Sequence, residues 1–381
     1  MTYRIPFNRP TSVPAAVEPI HQAISSGKLS GNGPFTRTCE TALEAITGAH
    51  RALLTSSCTA ALEMSTILLD GKPGDEVIVP SFTFVSTANA VAMRGLRPVF
   101  ADSRPDTLNI DERSVERLIT PRTRAIVVMH YGGVACEMDA IVTIAARHHL
   151  RIIEDNAHGL FAKYKGRPLG TFGALATQSF HETKNITCGE GGALLINDES
   201  LVEPAEIARE KGTDRSRFFR GQVDKYTWVG PGSNYLCSEL QAAFLSAQLS
   251  GAAEIQSRRR TIWDRYDSCL RHWAAAEGAT PPCVPADAEH PSHLYHLLMP
   301  SAAARTALID HLSRRGILAV FHYLPLHLSP MGRQFGGRPG DCPVAEDVSE
   351  RLIRLPFYTD MTADEQSDVI EAVTAFHARV D

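Results

Sequence analysis

The stretch SFHETKNITCGEGGALLIND, Ser179–Asp198, sets one lysine, Lys184, between an apolar run and a cluster of glycines. A strand supplies Ser179 and Phe180, the chain turns, and Gly189, Gly191 and Gly192 precede the next strand. Glycines there permit positive φ and close backbone approach. A solvated loop is the ordinary setting of any single lysine, so the surrounding chain has to decide what Lys184 is for.

Outward from this stretch, short apolar runs alternate with segments of helix length. RALLTSS leads into CTAALEMSTILLD, DEVIVP into TFVSTANAVAMR, and RAIVVMHYGG into MDAIVTIAARHH; RPVFAD, LRIIEDNAHG, ALATQSF and GGALLIND are further strand runs. Strand and helix in alternation predict an α/β fold with a mostly parallel sheet covered on both faces. Sites in such sheets form at the carboxyl ends of strands. That rule selects Ser57 to Thr59, Ser81 to Phe84, Asp155 to His158 and Ser179 to Lys184. Near Tyr235 the pattern changes to a long helical stretch, followed by shorter, proline-punctuated segments. The expected division is a large domain over residues 1–245, with the N-terminal segment packing on its neighbour, and a linking helix plus small α+β domain over residues 246–381.

Composition narrows the function. The net charge of −5, with both signs interspersed, leaves no basic stripe of the kind nucleic acid requires. The N-terminal sequence lacks a basic flank followed by an apolar segment, and no run of about 18 apolar residues occurs, so neither export nor membrane insertion is expected. Eight scattered cysteines without a Cys-x-x-Cys pair fit reduced thiols of a cytoplasmic protein. His293, His296, His322 and His327 lack the clustered spacing of a zinc site, and no metal is expected. Only seven lysines occur, Lys28, Lys72, Lys163, Lys165, Lys184, Lys211 and Lys225, against 38 basic residues in all. A retained lysine suits work that guanidinium cannot do, because only an amine loses its proton near neutral pH and attacks a carbonyl.

Four features then combine. TSSCTAALEM starts a helix on small hydroxyl residues, where free N–H groups and the Thr59 hydroxyl suit a phosphate, plain N-capping being the alternative. LRIIEDNAHG sets Asp155 at the end of an apolar strand, where burial is costly unless a positive partner is present. Phe84 offers a flat face, and Lys184 an amine. Together they meet the needs of pyridoxal 5′-phosphate: an amine for the Schiff base, an acid to keep the ring nitrogen protonated, a phosphate cradle and an aromatic surface.

On the motifs FHETKN, GEGG, RGQVDKYTW, GSNYLCSELQAA and FHYLPLH, the chain resembles the DegT/DnrJ/EryC1/StrS family of sugar aminotransferases along essentially its whole length. The resemblance implies the fold type I architecture of pyridoxal phosphate enzymes, with a mostly parallel seven-stranded sheet. It is greatest to the branch that aminates dTDP-4-keto-6-deoxyglucose at C4, with glutamate as amino donor. Carried over by motif, Lys184 resembles the Schiff-base lysine and Asp155 the acid facing the pyridine nitrogen. Cys58, Thr59 and Ser179 resemble phosphate contacts, Phe84 the aromatic on the ring, and His158 a residue near the ring substituents. Asn234 resembles a residue that reaches the phosphate from a neighbouring subunit, which implies a homodimer with active sites at the interface. Lys225 and Tyr226, in a loop able to read the nucleotide or sugar, and Tyr323 and His327 are the expected substrate contacts. The chain departs from many relatives at Leu236, where they carry a basic residue, and at Cys58, where they carry glycine. Amination at C3, or a sugar-nucleotide-binding regulator without turnover, are the alternatives; retention of both Lys184 and Asp155 weighs against the regulator.

Overall fold

The computed structural model describes residues 3–378. Seven strands form its central sheet: β1 (Arg51–Thr55), β2 (Glu76–Pro80), β3 (Arg97–Ala101), β4 (Thr123–Met129), β5 (Arg151–Asp155), β6 (Leu175–Ser179) and β7 (Gly192–Ile196). Their order is β1-β7-β6-β5-β4-β2-β3. Each corresponds to one apolar run in the sequence. β7 alone runs antiparallel to its neighbours, β1 and β6, while β6-β5, β5-β4, β4-β2 and β2-β3 are parallel pairs.

Alternation along the strands explains why those runs are apolar throughout. Leu53, Val77, Val127, Ile153 and Leu194 pack on one face, against Ala61 and Met64 of helix α2 (Cys58–Ile67) and Val91 of α3 (Val85–Met93). Their neighbours Leu54, Ala193 and Leu195 point the other way, against Leu43 of α1 (Pro34–Thr47) and Leu245 of α4 (Glu239–Ser250). Ile78, Ile126 and Ile152 extend that second face against Ile141 and Ile144. A strand buried on both sides has no polar face to show.

A separate core forms around α5 (Ala252–Ala276), whose Ile262, Trp263, Tyr266 and Leu270 meet the antiparallel pair β8 (His296–Leu298) and β9 (Leu352–Arg354). Ile5 is fully buried in this core and pairs with Ile317, so the N-terminal segment packs with the C-terminal elements. The expected boundary at 245/246 falls inside α4; core membership changes later, between Ile255 and Ile262 along α5. Among the described residues no helix is long and apolar enough to cross a membrane.

Candidate active site

The carboxyl edge of the sheet opens on a cavity of about 470 Å³ bordered from three directions. The strand ends contribute Asp155 and Ser179, the loop from Phe180 to Gly191 contributes Lys184, and the C-terminal elements contribute His322, Tyr323 and Arg354. Residues of the two cores therefore meet at one space.

Asp155 ends β5 and is buried. Thr87 Oγ1 donates to its Oδ2 at 2.7 Å and the Ala157 amide to its Oδ1 at 3.3 Å. Burial raises its carboxyl above the ordinary value, with the two hydrogen bonds and Lys184 opposing. Lys184 is half-buried beside it, and burial brings the amine down to about 8, with the Arg354 guanidinium adding to the depression and Asp155 opposing it. The low dielectric disfavours both charges at once, which leaves an amine able to shed its proton near neutrality.

The glycine cluster shapes the opposite wall. Gly189 has φ = 81°, and a Cβ on Gly192 would stand 2.3 Å from the Ser57 carbonyl carbon and 2.4 Å from the Cys58 nitrogen, so β7 presses directly on the start of α2. There the Ser57 hydroxyl accepts from the Ala60 amide at 3.0 Å, Thr59 Oγ1 lies 2.8 Å from Ser86 Oγ, and burial pushes the Cys58 thiol up to about 12, keeping it neutral. Ser57, Cys58, Thr59, Ser86 and Ser179 all border the cavity. Phe84, the residue preceding α3, borders it as well while remaining 54 % exposed.

His158 stacks on His293 at 4.2 Å between ring centroids, with His322 at 6.1 Å on from His158. His322 in turn stacks on Tyr323 at 3.6 Å. Burial holds all three imidazoles well below their usual range, so they face the cavity uncharged. Tyr323 adopts φ = 33°, a strained value for a bulky residue.

Four expected residues stand elsewhere. His327 does not reach the cavity: it is fully buried, with Nδ1 2.6 Å from Ser81 Oγ and Nε2 3.0 Å from Glu346 Oε1, so both ring nitrogens are spent on packing contacts. Lys225, Tyr226 and Asn234 are exposed and do not border the cavity of this chain. Conversely, Thr87, Ser86, Arg354 and the N-terminal residues Phe7 and Asn8 join the site without having been singled out in the sequence. Only Thr87 and Ser86 left a trace, their place in the TFVST segment that carries Phe84.

This donor set fits pyridoxal 5′-phosphate. The buried Asp155 has neutral donors but no cation in hydrogen-bond contact, and the close approach at Gly192 builds a compact hydroxyl-lined pocket at a helix start. The same architecture recurs in solved structures. The putative sugar aminotransferase Spr1654 of Streptococcus pneumoniae, in its PLP-form, matches with a TM-score of 0.90 at 28 % identity, covering 98 % of both chains. DesV of S. venezuelae matches with a TM-score of 0.89 at 32 % identity, covering 100 % of both. The chain is thus a fold type I aminotransferase that uses pyridoxal 5′-phosphate. The model of the DegT/DnrJ/EryC1/StrS aminotransferase family matches residues 12–374, and the chain belongs to that family of sugar aminotransferases. It is also 36 % identical over 377 residues to the spore coat polysaccharide biosynthesis protein SpsC of Bacillus subtilis (strain 168), 97 % of this chain and 96 % of that protein.

Proposed function

We propose that this enzyme moves an amino group from L-glutamate to C4 of a nucleotide-linked 4-keto-6-deoxy sugar, dTDP-4-keto-6-deoxy-D-glucose, giving a dTDP-4-amino-4,6-dideoxy-hexose. The observation that carries the reading is the meeting of the Lys184 amine and the buried Asp155 carboxyl in one cavity. When bound, pyridoxal 5′-phosphate supplies an aldehyde that takes up the amino group and a ring that holds the electron pair of the broken C–H bond. Lys184 anchors it. Once the donor displaces this amine, its free pair would take the proton from the donor Cα and pass it to the cofactor's C4′; in the second half-reaction the same amine would take a proton from C4′ and deliver it to the sugar C4 from one face. An amine lowered to about 8 is matched to both tasks at neutral pH.

Asp155 keeps the ring nitrogen protonated; a cation there reverses the cost of its burial. Thr87 holds Asp155 in orientation. Cys58, Thr59 and Ser179 would hold the phosphate, and Phe84 and His158, which border the same cavity, would hold the ring. Asn234, Lys225 and Tyr226 act across a homodimer interface, and Tyr323 borders the sugar. The dTDP-4-keto substrate rests on the resemblance of RGQVDKYTW and FHYLPLH to the C4-aminating branch. A turnover assay tests the whole reading. Purified enzyme with glutamate and dTDP-4-keto-6-deoxyglucose should form 2-oxoglutarate and amino sugar one for one, with the amine located at C4 by NMR. Amine at C3, or binding without turnover, would overturn it.

A further inference from the structure

Asn185 follows Lys184 in the chain, and it is buried among partners that lie far away in sequence. Its Nδ2 donates to the Pro291 carbonyl at 2.7 Å and to Gln256 Oε1 at 3.0 Å, while its Oδ1 lies 2.9 Å from His293 Nδ1. Gln256, on α5, donates to the same Pro291 carbonyl at 3.2 Å. The residue beside the reactive amine is therefore tied to the linking helix and to the segment from Pro291 to His293. That segment is braced against the site in turn. A Cβ on Gly133 would stand 2.3 Å from Pro291 Cδ and 2.6 Å from the His158 carbonyl oxygen, and Ser292 holds φ = 52°.

These hydrogen bonds fix two tautomers. A carbonyl can only accept, so the nitrogen end of the Asn185 amide faces Pro291 and its oxygen end faces His293. That oxygen accepts as well, so His293 Nδ1 carries the proton and Nε2 keeps a lone pair. His158 is the reverse: the Gly132 amide donates to its Nδ1 at 3.3 Å, which leaves the proton on Nε2. The two rings stack at 4.2 Å and both border the cavity with Lys184, one offering a donor and the other an acceptor. Among the described residues His293 Nε2 has no hydrogen-bond partner. Burial holds the His293 imidazole well below its usual range, with His158 and Lys184 adding to the depression. The competing acceptor is occupied, since Asp155 already accepts from Thr87 and Ala157.

We propose that Asn185 and His293 are positioning residues for Lys184: Asn185 holds His293 as the Nδ1–H tautomer, and His293 Nε2 accepts a hydrogen bond from the Lys184 amine and so aims the amine's lone pair at the reacting carbon. This rests on the aminotransferase reading above and deepens it. A neutral amine has two N–H donors and one lone pair, so holding an N–H directs the pair. An uncharged imidazole suits this task because it orients the amine without capturing its proton. A carboxylate in the same place would favour the ammonium and disarm the base.

Nitrogen NMR of imidazole-labelled holoenzyme reads the tautomer directly, with the His293 signals assigned by their loss in His293→Phe. Wild-type enzyme should show a protonated Nδ1 and an unprotonated Nε2, and Asn185→Ala should lose that pattern. Kinetics read the consequence. Uptake of pyridoxal 5′-phosphate by cofactor-free enzyme needs the Lys184 amine but neither glutamate nor sugar. His293→Phe, which keeps a ring on His158 and removes the acceptor, should slow this uptake by about 10-fold. Turnover should fall by a similar factor, in kcat with little change in KM, and equally in both half-reactions, because the same amine moves the proton in each. His293→Gln brings an amide oxygen near the place of Nε2 and should recover most of the loss. His293→Asn keeps a donor to Asn185 but falls short of the cavity, and should not. Should Asn185→Ala fail to fold, the pair His293→Gln and His293→Asn makes the comparison with Asn185 in place. A proton on Nε2 in the wild-type spectrum, unchanged uptake and kcat in His293→Phe, or equal losses in His293→Gln and His293→Asn would overturn the assignment. Failure of the wild-type enzyme on glutamate and keto sugar, with cofactor uptake still dependent on His293, would instead remove the substrate reading.

Discussion

At the scale of single residues, the chemistry divides between groups legible in the sequence and groups whose partners lie far along the chain. Lys184 and Asp155 stood out because few residue types suit such chemistry and they lie at, or shortly after, the carboxyl ends of strands. Thr87 could not: its hydrogen bond to Asp155 spans 68 positions and depends on the register of α3 against the sheet. Arg354 was hidden for a related reason, since its place at the cavity depends on the pairing of its backbone with Val320 and on the distant Phe7 ring. Lys184→Ala should abolish amino transfer and leave no adduct for borohydride to fix. Asp155→Asn should lower kcat by about 100-fold while barely changing phosphate affinity, because it weakens the electron sink rather than the anchor. Thr87→Val removes one hydrogen bond to a carboxylate and should lower kcat by about 10-fold, checked with cofactor affinity in the same titration. The amine of Lys184 also gives a pH signature with a definite sign. Its folded pKa, about 8, lies below the ordinary 10.5, so the unfolded chain binds more protons between those values. The penalty for folding around the ammonium is therefore full below pH 8 and disappears toward pH 10.5. The melting temperature of cofactor-free enzyme, compared with its Lys184→Met variant, should show this relative gain as pH rises. Uptake of pyridoxal phosphate should likewise accelerate with a midpoint near 8. A midpoint at the ordinary lysine value would remove the argument from burial.

At the scale of elements, all seven strands of the sheet correspond to apolar runs because burial on both faces forces such composition, whereas helix boundaries and the antiparallel course of β7 depend on pairing that no local pattern contains. His327 illustrates the limit from the other side. In FHYLPLH it stands four positions from Tyr323, yet the turn Leu326–Leu328 carries it under the sheet edge to Ser81 and Glu346. Glu239 was read only as part of GSNYLCSELQAA, but its buried carboxylate accepts the Gly33, Phe35 and Thr36 amides and so caps α1, some 200 positions away. The glycine cluster, by contrast, was readable as a place of close approach. Gly192→Ala must push β7 off the start of α2, since the obstructing atoms at 2.3 and 2.4 Å are backbone and cannot rotate aside. The expected result is a loss of stability of about 1–3 kcal/mol together with weaker cofactor retention, measured by denaturant unfolding and by dialysis of the holoenzyme. Gly189→Ala, where nothing lies within 4 Å but φ is 81°, should cost about 1 kcal/mol and leave cofactor retention nearly intact.

At the scale of the whole molecule, the surface around Arg215–Asn234 gathers exposed aromatic groups. Trp228 is 78 % exposed, Phe219 67 % and Tyr226 51 %, and Phe218 packs edge-on against both Phe219 and Tyr226. Apolar groups gathered in this way mark contact surfaces. The same segment bears Lys225 and Asn234, which the family resemblance directs toward an active site but which stay outside the cavity of their own chain. The proposed homodimer reconciles these facts, because a two-fold operation brings each segment to the other subunit's site. Complementation supplies a decisive test. A Lys184→Ala subunit and an Asn234→Asp, Lys225→Glu subunit should each be inactive as homodimers. In the mixed dimer one site combines both defects and the other carries none. Random reassociation makes about half of the dimers mixed, each with one intact site of two, so activity should return to about a quarter of the wild-type level. Ultracentrifugation gives the mass, and titration with the mixing ratio gives the expected maximum at equal amounts. If each site were complete within one chain, the mixture would instead stay as inactive as its components at every ratio.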